Sequence, residues 1–408
     1  VRAAAHLDHA PAGTQSAPGA RCGTRIGCAR MADIQGTLED RFEGVAQALS
    51  QNLDQGLDVG ASVAVALNGE IVVDIWGGHA DSTRTTPWQR DTLVNVFSTT
   101  KTMVALCALI LADRGELDFD APVARYWPEF AQAGKDQVLV RHLLGHTSGL
   151  SGWDEPLEVE QLGDWERCTS LLAAQAPWWE PGTQSGYHAV TQGYLVGEVI
   201  HRVTGLSPGA FFKQTVAEPL GADFYIGLPA ESEADRRVVP LISPPPADLG
   251  ELGVPRLGLK TLSNPPITGD VTAQEWWRRA EIPAANGQGN ARSVATVQSV
   301  VACGGEARGT RLLSEAGVTA LFAQQSNGPD LVLGVPLRFG LGFGLSSETM
   351  PMGPRTCAWG GYGGSLVVND LDARLTVAYV MNRMEPGVLG DPRGASIVGA
   401  TVVGLLAG

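Results

Sequence analysis

Residues 34 to about 56 carry apolar side chains at Ile34, Leu38, Phe42, Val45, Leu49 and Leu53, a spacing that predicts an amphipathic helix. Two β-prone runs follow, Ala61–Leu67 and Glu70–Trp76. The Asn68-Gly69 pair between them predicts a hairpin. A further extended stretch is expected near Leu93–Phe97. From Thr102 to Ala112 the chain is apolar almost all round (Met103, Val104, Leu106, Cys107, Leu109, Ile110, Leu111). A helix of that composition must be buried on every side. Gly115 supplies its C-terminal cap.

From Leu117 to about 285 the pattern alternates helical stretches (138–145, 161–175, 189–204, 208–218) with Pro-rich loops, including Ser243–Pro246. Helices are expected again from Ser293 to about Cys303 and over 314–324. Extended runs return at Leu331–Leu333, Gly340–Leu345, Ala358–Trp359, Ser365–Val368 and Leu375–Val380, and a terminal helix covers 393–406. No internal repeat is present. The order of helix, strands, long helical middle, strands and helix predicts an α/β fold. Its sheet is built from both ends of the chain, its middle forms a lobe, and a site lies between the two.

Composition narrows the class. A chain of 408 residues, 44% of them hydrophobic, can bury a large core, and 18% charged residues argue against disorder through most of its length. The net charge of −14 repels phosphate backbones, and no Lys/Arg cluster offsets it, so nucleic acid is not an expected partner. No uncharged apolar run reaches 18 residues, so no transmembrane helix is expected. The scattered Cys22, Cys28, Cys107, Cys168, Cys303 and Cys357 read as reduced thiols of a cytoplasmic protein. Val1–Arg30 is rich in Ala, Gly and Pro and lacks a secretory apolar core. Segment 1–33 therefore reads as disordered or expression-derived, with Met31 as the natural start.

Three places carry candidate chemistry. Ser98 and Lys101 form S-x-x-K, and positions i and i+3 share one helix face. A serine hydroxyl becomes a nucleophile when a base takes its proton, and a buried lysine with a lowered pKa can be that base. The bland alternative, a first-turn surface lysine, sets a cation against the helix dipole. Tyr187 sits on a loop at a helix start, where a phenol can face a cleft; a half-buried packing tyrosine is the competing reading. Trp359, Gly360 and Gly361, then Tyr362, lie beside strand-like runs, where glycines allow close backbone approach. An N–H there can form half of an oxyanion hole, with the Ser98 N–H as the other half.

In this order, Ser98-x-x-Lys101, Tyr187 and Trp359-Gly360-Gly361 resemble the serine β-lactamase and penicillin-binding protein superfamily. The run His142–Leu150, together with Gly115–Asp118 and Pro122–Pro128, is similar to the class C β-lactamase-like group and, within it, the family VIII carboxylesterases. The resemblance spans about residues 40–405. It implies an antiparallel sheet flanked by helices (34–116 and 286–408) with an inserted, mostly helical lobe (117–285). It also implies a serine hydrolase with Ser98, Lys101 and Tyr187 as catalytic groups, needing neither metal nor organic cofactor. Tyr362 maps to the oxyanion residue, and Trp359, Gly360, Gly361 and His188 to the substrate side. The class C group has Tyr-x-Asn and Lys-Thr-Gly where this chain has Tyr187-His188-Ala189 and Trp359-Gly360-Gly361. Losing that amide and that cation favours small neutral esters over anionic lactams. A β-lactamase, a D-specific peptidase, a transacylase and an inactive binding module on the same fold remain open, as does oligomeric state.

Several other groups compete. Gly205-Leu206-Ser207-Pro208-Gly209 matches G-x-S-x-G, but Pro208 suits the first position of a helix with Ser207 as its cap. No histidine follows Ser207 to complete an α/β-hydrolase triad. His142 and His146 lack the H-E-x-x-H pattern of a metal pair. Trp153, Trp178, Trp179, Trp276 and Trp277 suit either pocket or core, and Asn286–Arg292 is expected near the cleft.

Overall fold

The computed structural model describes residues 32–245, 250, 253–387 and 390–407. The expectations for residues 1–31, including Cys22 and Cys28, and for Pro246 fall outside the described residues.

The predicted hairpin forms from β2 (Gly60–Leu67) and β3 (Glu70–Gly78). Asn68 and Gly69 both take positive φ, 53° and 85°, as a tight primed turn requires. The first predicted helix is shorter than its periodicity suggests: α1 covers Glu43–Asp54, and Ile34–Leu38 is instead a strand, β1, paired antiparallel with β3. Gly36 explains the difference. Its φ of +115° is closed to other residues, and a Cβ there would lie 2.0 Å from the Asp74 carbonyl oxygen.

The second half of the sheet comes from the other end of the chain: β5 (Ser326–Pro329), β6 (Pro336–Phe339), β7 (Gly344–Leu345), β8 (Thr356–Gly360), β9 (Leu366–Asp370) and β10 (Leu375–Met381). Among the described residues, nine antiparallel strands form this sheet in the order β1-β3-β2-β10-β9-β8-β7-β6-β5, with the short β4 (Leu93–Asn95) outside it. The two chain ends join where β10 pairs with β2, Val377 opposite Val65. Leu331–Leu333 is no strand. It turns between β5 and β6, because the Asp330 carboxylate accepts the backbone N–H groups of Val332 and Leu333 and draws them from any ladder.

β10 is buried along its full length and β2 nearly so, so the sheet centre is covered on both faces. α1 and the terminal helix Pro392–Ala407 pack together, while the helix Ala291–Ala302 lies between the sheet and α2 (Thr100–Asp113). In α2 every side chain from Thr100 to Leu111 is buried, as its all-round apolarity requires. The middle of the chain holds Val140–Leu144, Trp165–Ala174, Thr191–Thr204 and Pro208–Phe212, joined by turns and short helices. The helix expected over 208–218 forms and runs from Pro208 to Leu220, widened to a π-helical stretch at Lys213–Ala217.

Candidate active site

Ser98 is delivered by a short, strained approach. β4 leads into Phe97, whose φ of 40° is unusual for a bulky side chain. Such a residue costs roughly 1–3 kcal/mol and persists only when its surroundings hold it. Here its ring is buried against Tyr362 (5.4 Å between centroids) and Trp277 (6.2 Å). One 3-10 turn, Phe97–Thr99, then opens α2. Ser98 keeps 9% exposure, while Lys101, one turn further on, keeps 1%.

The Lys101 Nζ lies 3.0 Å from Ser98 Oγ and donates to the carbonyls of Ala189 (2.7 Å) and Ala284 (3.0 Å). Burial pushes the amine well below the usual lysine pKa. The Tyr187 hydroxyl is 2.7 Å from the same Ser98 Oγ, and burial pushes its pKa up to about 12. Segments 89 residues apart in the chain thus bring a hydroxyl, an amine and a phenol to one point. The Tyr187 backbone N–H is held by Asp330 Oδ1 at 3.0 Å.

The Gly-rich stretch closes the opposite side. Gly361 sits so near the approach to Ser98 that a Cβ would lie 2.2 Å from the Val96 carbonyl. Ser365 clamps the same junction: its Oγ donates to Val96 O (2.7 Å) and is 2.9 Å from Thr99 Oγ1. Among the described residues, the N–H groups of Ser98 and Tyr362 have no hydrogen-bond partner, although their segments are in contact through the Phe97 and Tyr362 rings. Trp359 is buried, stacked on His146 at 5.4 Å and 6.1 Å from the Tyr187 ring. Gly360 at the end of β8 is exposed.

His188 does not join this group. Its ring has no exposed surface; Nε2 lies 2.7 Å from Ser148 Oγ and Nδ1 2.6 Å from Gly186 O. It braces the Tyr187 loop from behind, and its N–H donates to His146 Nδ1. Burial lowers the His188 pKa to about 3 and drives His146 well below its ordinary value. From pH 6.5 down to about 3 the unfolded chain therefore binds a proton that the native His188 refuses. The stabilisation is complete above pH 6.5 and shrinks as pH falls, by about 2 kcal/mol at pH 5 for His188 alone. Urea unfolding at pH 7 and pH 5 should show the midpoint falling, and His188→Gln should flatten that pH dependence if the variant folds.

The other candidates sort cleanly. Ser207 caps its helix, accepting from the Ala210 N–H (3.3 Å) and donating to Glu281 (2.7 Å). Trp153 and Trp277 are core residues, bonded to Cys168 O and Asn95 Oδ1, whereas Trp178 and Trp179 remain partly exposed. Asn286–Arg292 lies against the Ser98 segment: the Gly287 N–H donates to Thr100 Oγ1 and its carbonyl accepts from Val96. The groups that motif reading missed are Ser365, Asp330, and the Ala189 and Ala284 carbonyls. Backbone carbonyls leave no mark on residue type, and a lone Asp after Gly-Pro reads as a turn. Among the described residues, no set of three or more His, Cys, Asp or Glu side chains is placed to hold a metal ion, and no helix is long and apolar enough to cross a membrane.

Residues 46–400 match the model of the Beta-lactamase family. The chain is 35% identical over 377 residues to Esterase/beta-lactamase LipL of Mycobacterium tuberculosis, covering 88% of this chain and 86% of that relative. The crystal structure of a family VIII carboxylesterase superposes with a TM-score of 0.85 at 42% identity, over 91% of this chain and all of that one. A penicillin-binding protein homologue from Caulobacter crescentus gives 0.84 at 37% identity, with the same coverage.

Proposed function

The chain belongs to the beta-lactamase family, and from that premise we propose that it is a serine carboxylesterase, hydrolysing short- to medium-chain carboxylic esters through an acyl-enzyme on Ser98. Residues 34–116 and 286–408 make the catalytic scaffold and 117–285 the lobe facing it. The observation that carries the reading is the convergence of the buried Lys101 amine and the buried Tyr187 hydroxyl on Ser98 Oγ, at 3.0 and 2.7 Å. A neutral amine has two hydrogens and one lone pair. In that form the Ala189 and Ala284 carbonyls accept the two hydrogens and the lone pair faces Ser98 Oγ at 3.0 Å, where an ammonium would donate instead. Burial favours that neutral form. Tyr187, with its pKa near 12, stays protonated and donates to Ser98 Oγ.

The steps follow from this polarity. Lys101 takes the Ser98 proton as Oγ bonds to the ester carbonyl carbon. The N–H groups of Ser98 and Tyr362 hold the resulting oxyanion, each donor contributing about 3–4 kcal/mol in comparable sites. Tyr187 passes its proton to the departing alkoxide as the C–O bond breaks, and the tyrosinate is then reprotonated with the proton that Lys101 took from Ser98, which leaves the amine neutral again. Water then attacks the acyl-enzyme with the same base, releasing the acid and restoring Ser98. Every proton is handled by a side chain, so the cycle calls on no cofactor.

The substrate side favours uncharged molecules. Trp359 stands where the class C group has a lysine, and Ala189 where it has an asparagine. A lactam thus loses a cation for its carboxylate and an amide partner for its acyl-amide side chain, about a hundredfold in kcat/KM at the usual worth of charged hydrogen bonds. p-Nitrophenyl butyrate should accordingly be turned over with kcat/KM at least that far above a chromogenic cephalosporin. The name of the M. tuberculosis relative supports a second reading, β-lactam hydrolysis at the same serine, which equal or reversed kcat/KM values would establish. The buried free thiols Cys107, Cys168, Cys303 and Cys357 suit a reducing, cytoplasmic setting.

A further inference from the structure

The Gly-rich turn is gripped from behind by a charged cluster that takes no part in the steps above. Arg393, the second residue of the terminal helix, has 0% side-chain exposure, as does Asp58 beside it. Its Nη1 donates to Asp58 Oδ1 (2.9 Å), Leu57 O (3.1 Å) and Arg383 O (2.8 Å). Its Nε and Nη2 reach Asp391 (3.0 and 2.6 Å), and Nη2 also reaches the Gly363 carbonyl at 2.7 Å. The Tyr379 hydroxyl completes the Asp58 side at 2.7 Å. A buried ion cluster of this kind is often replaceable by apolar side chains without loss of stability, so its energy alone does not account for it. Gly364 makes room for it: φ is +131°, and a Cβ would lie 2.3 Å from Asp391 Oδ2 and 2.4 Å from Arg393 Nη2.

We propose that Arg393 is a positioning residue that fixes the Gly361–Gly364 turn, and through it the Tyr362 N–H, at the place where negative charge develops. The turn closes on itself through the Gly364 N–H to Gly361 O (3.0 Å). It is tied to the nucleophile segment at Ser365 and to the core at Gly363, whose carbonyl accepts from both Arg393 and the Glu385 N–H (3.0 Å). Removing the Arg393 tie leaves the hairpin paired but lets the turn rock about Ser365, so the N–H drifts from the oxyanion while ground-state binding is kept.

The proposal rests on the oxyanion role of Tyr362, and the test separates the two. An ester and its thionoester differ at the atom the N–H groups hold, and sulfur accepts such bonds poorly. Rates are normalised to the fraction of Ser98 labelled by a fluorophosphonate, so unfolded protein does not count. In wild type the ester should far exceed the thionoester. In Arg393→Lys, kcat for the ester should fall about tenfold with KM within twofold, a fraction of a full donor deletion, and the ester/thionoester ratio should fall by a similar factor. An unchanged ratio in Arg393→Lys overturns the positioning role. A wild-type ratio near one overturns the oxyanion reading itself, and the proposal with it. Should Arg393→Lys fail to fold, Asp391→Asn weakens the same grip and is held to the same ratio.

Discussion

Ser98→Ala should lower turnover of p-nitrophenyl butyrate by about 10⁴-fold or more, with circular dichroism and thermal midpoint close to wild type. The size follows from the proposed mechanism: without Oγ no acyl-enzyme forms, and only binding and the two N–H donors remain to help water. The matched control is Ser207→Ala. Ser207 holds a helix start and a Glu281 oxygen, so its loss should cost about 1 kcal/mol of stability and leave kcat within a few-fold. The rival G-x-S-x-G reading expects the reverse. Activity surviving in Ser98→Ala, or vanishing in a folded Ser207→Ala, overturns the assignment.

Lys101→Met and Tyr187→Phe should each reduce kcat/KM by about 10²–10⁴-fold, but with different substrate signatures. Lys101 is assigned to proton removal before attack, so its loss should hit ethyl and p-nitrophenyl butyrate alike. Tyr187 is assigned to the leaving group. A nitrophenolate departs without a proton and an ethoxide does not, so Tyr187→Phe should damage the ethyl ester at least tenfold more. The pH profile gives a second check. An amine driven well below its usual pKa by burial is already neutral on the acid side of pH 10.5, so wild-type kcat/KM should level off well before that pH. A profile still climbing toward pH 10.5, or equal losses on both esters in Tyr187→Phe, would contradict the division of labour.

How much of this was legible in the residues depends on range. The Ser98–Lys101 proximity follows from one helical turn, and the burial of Lys101 follows from the apolar run that continues its helix. Both are local. The arrival of Tyr187 depends on the path of the lobe, which residue pattern does not encode, so resemblance supplied it. Ile34–Leu38 misled because i, i+4 apolar spacing also fits a short edge strand, and the deciding signal was Gly36, whose need appears only when β3 is alongside. His188 looked like a cleft residue because it follows Tyr187; its ring turns inward to Ser148. Phe97 carried no signal at all, since strain in a bulky residue is invisible until the backbone is known.

The junction of β10 with β2 has a consequence for biosynthesis. Residues 375–381 occupy the middle of the sheet, against a strand laid down some 300 residues earlier. During translation, then, the hairpin of β2 and β3 waits unpartnered on one edge until residues 375–381 have emerged. A nascent chain halted short of that strand keeps the β2 edge exposed, the kind of surface that chaperones shield.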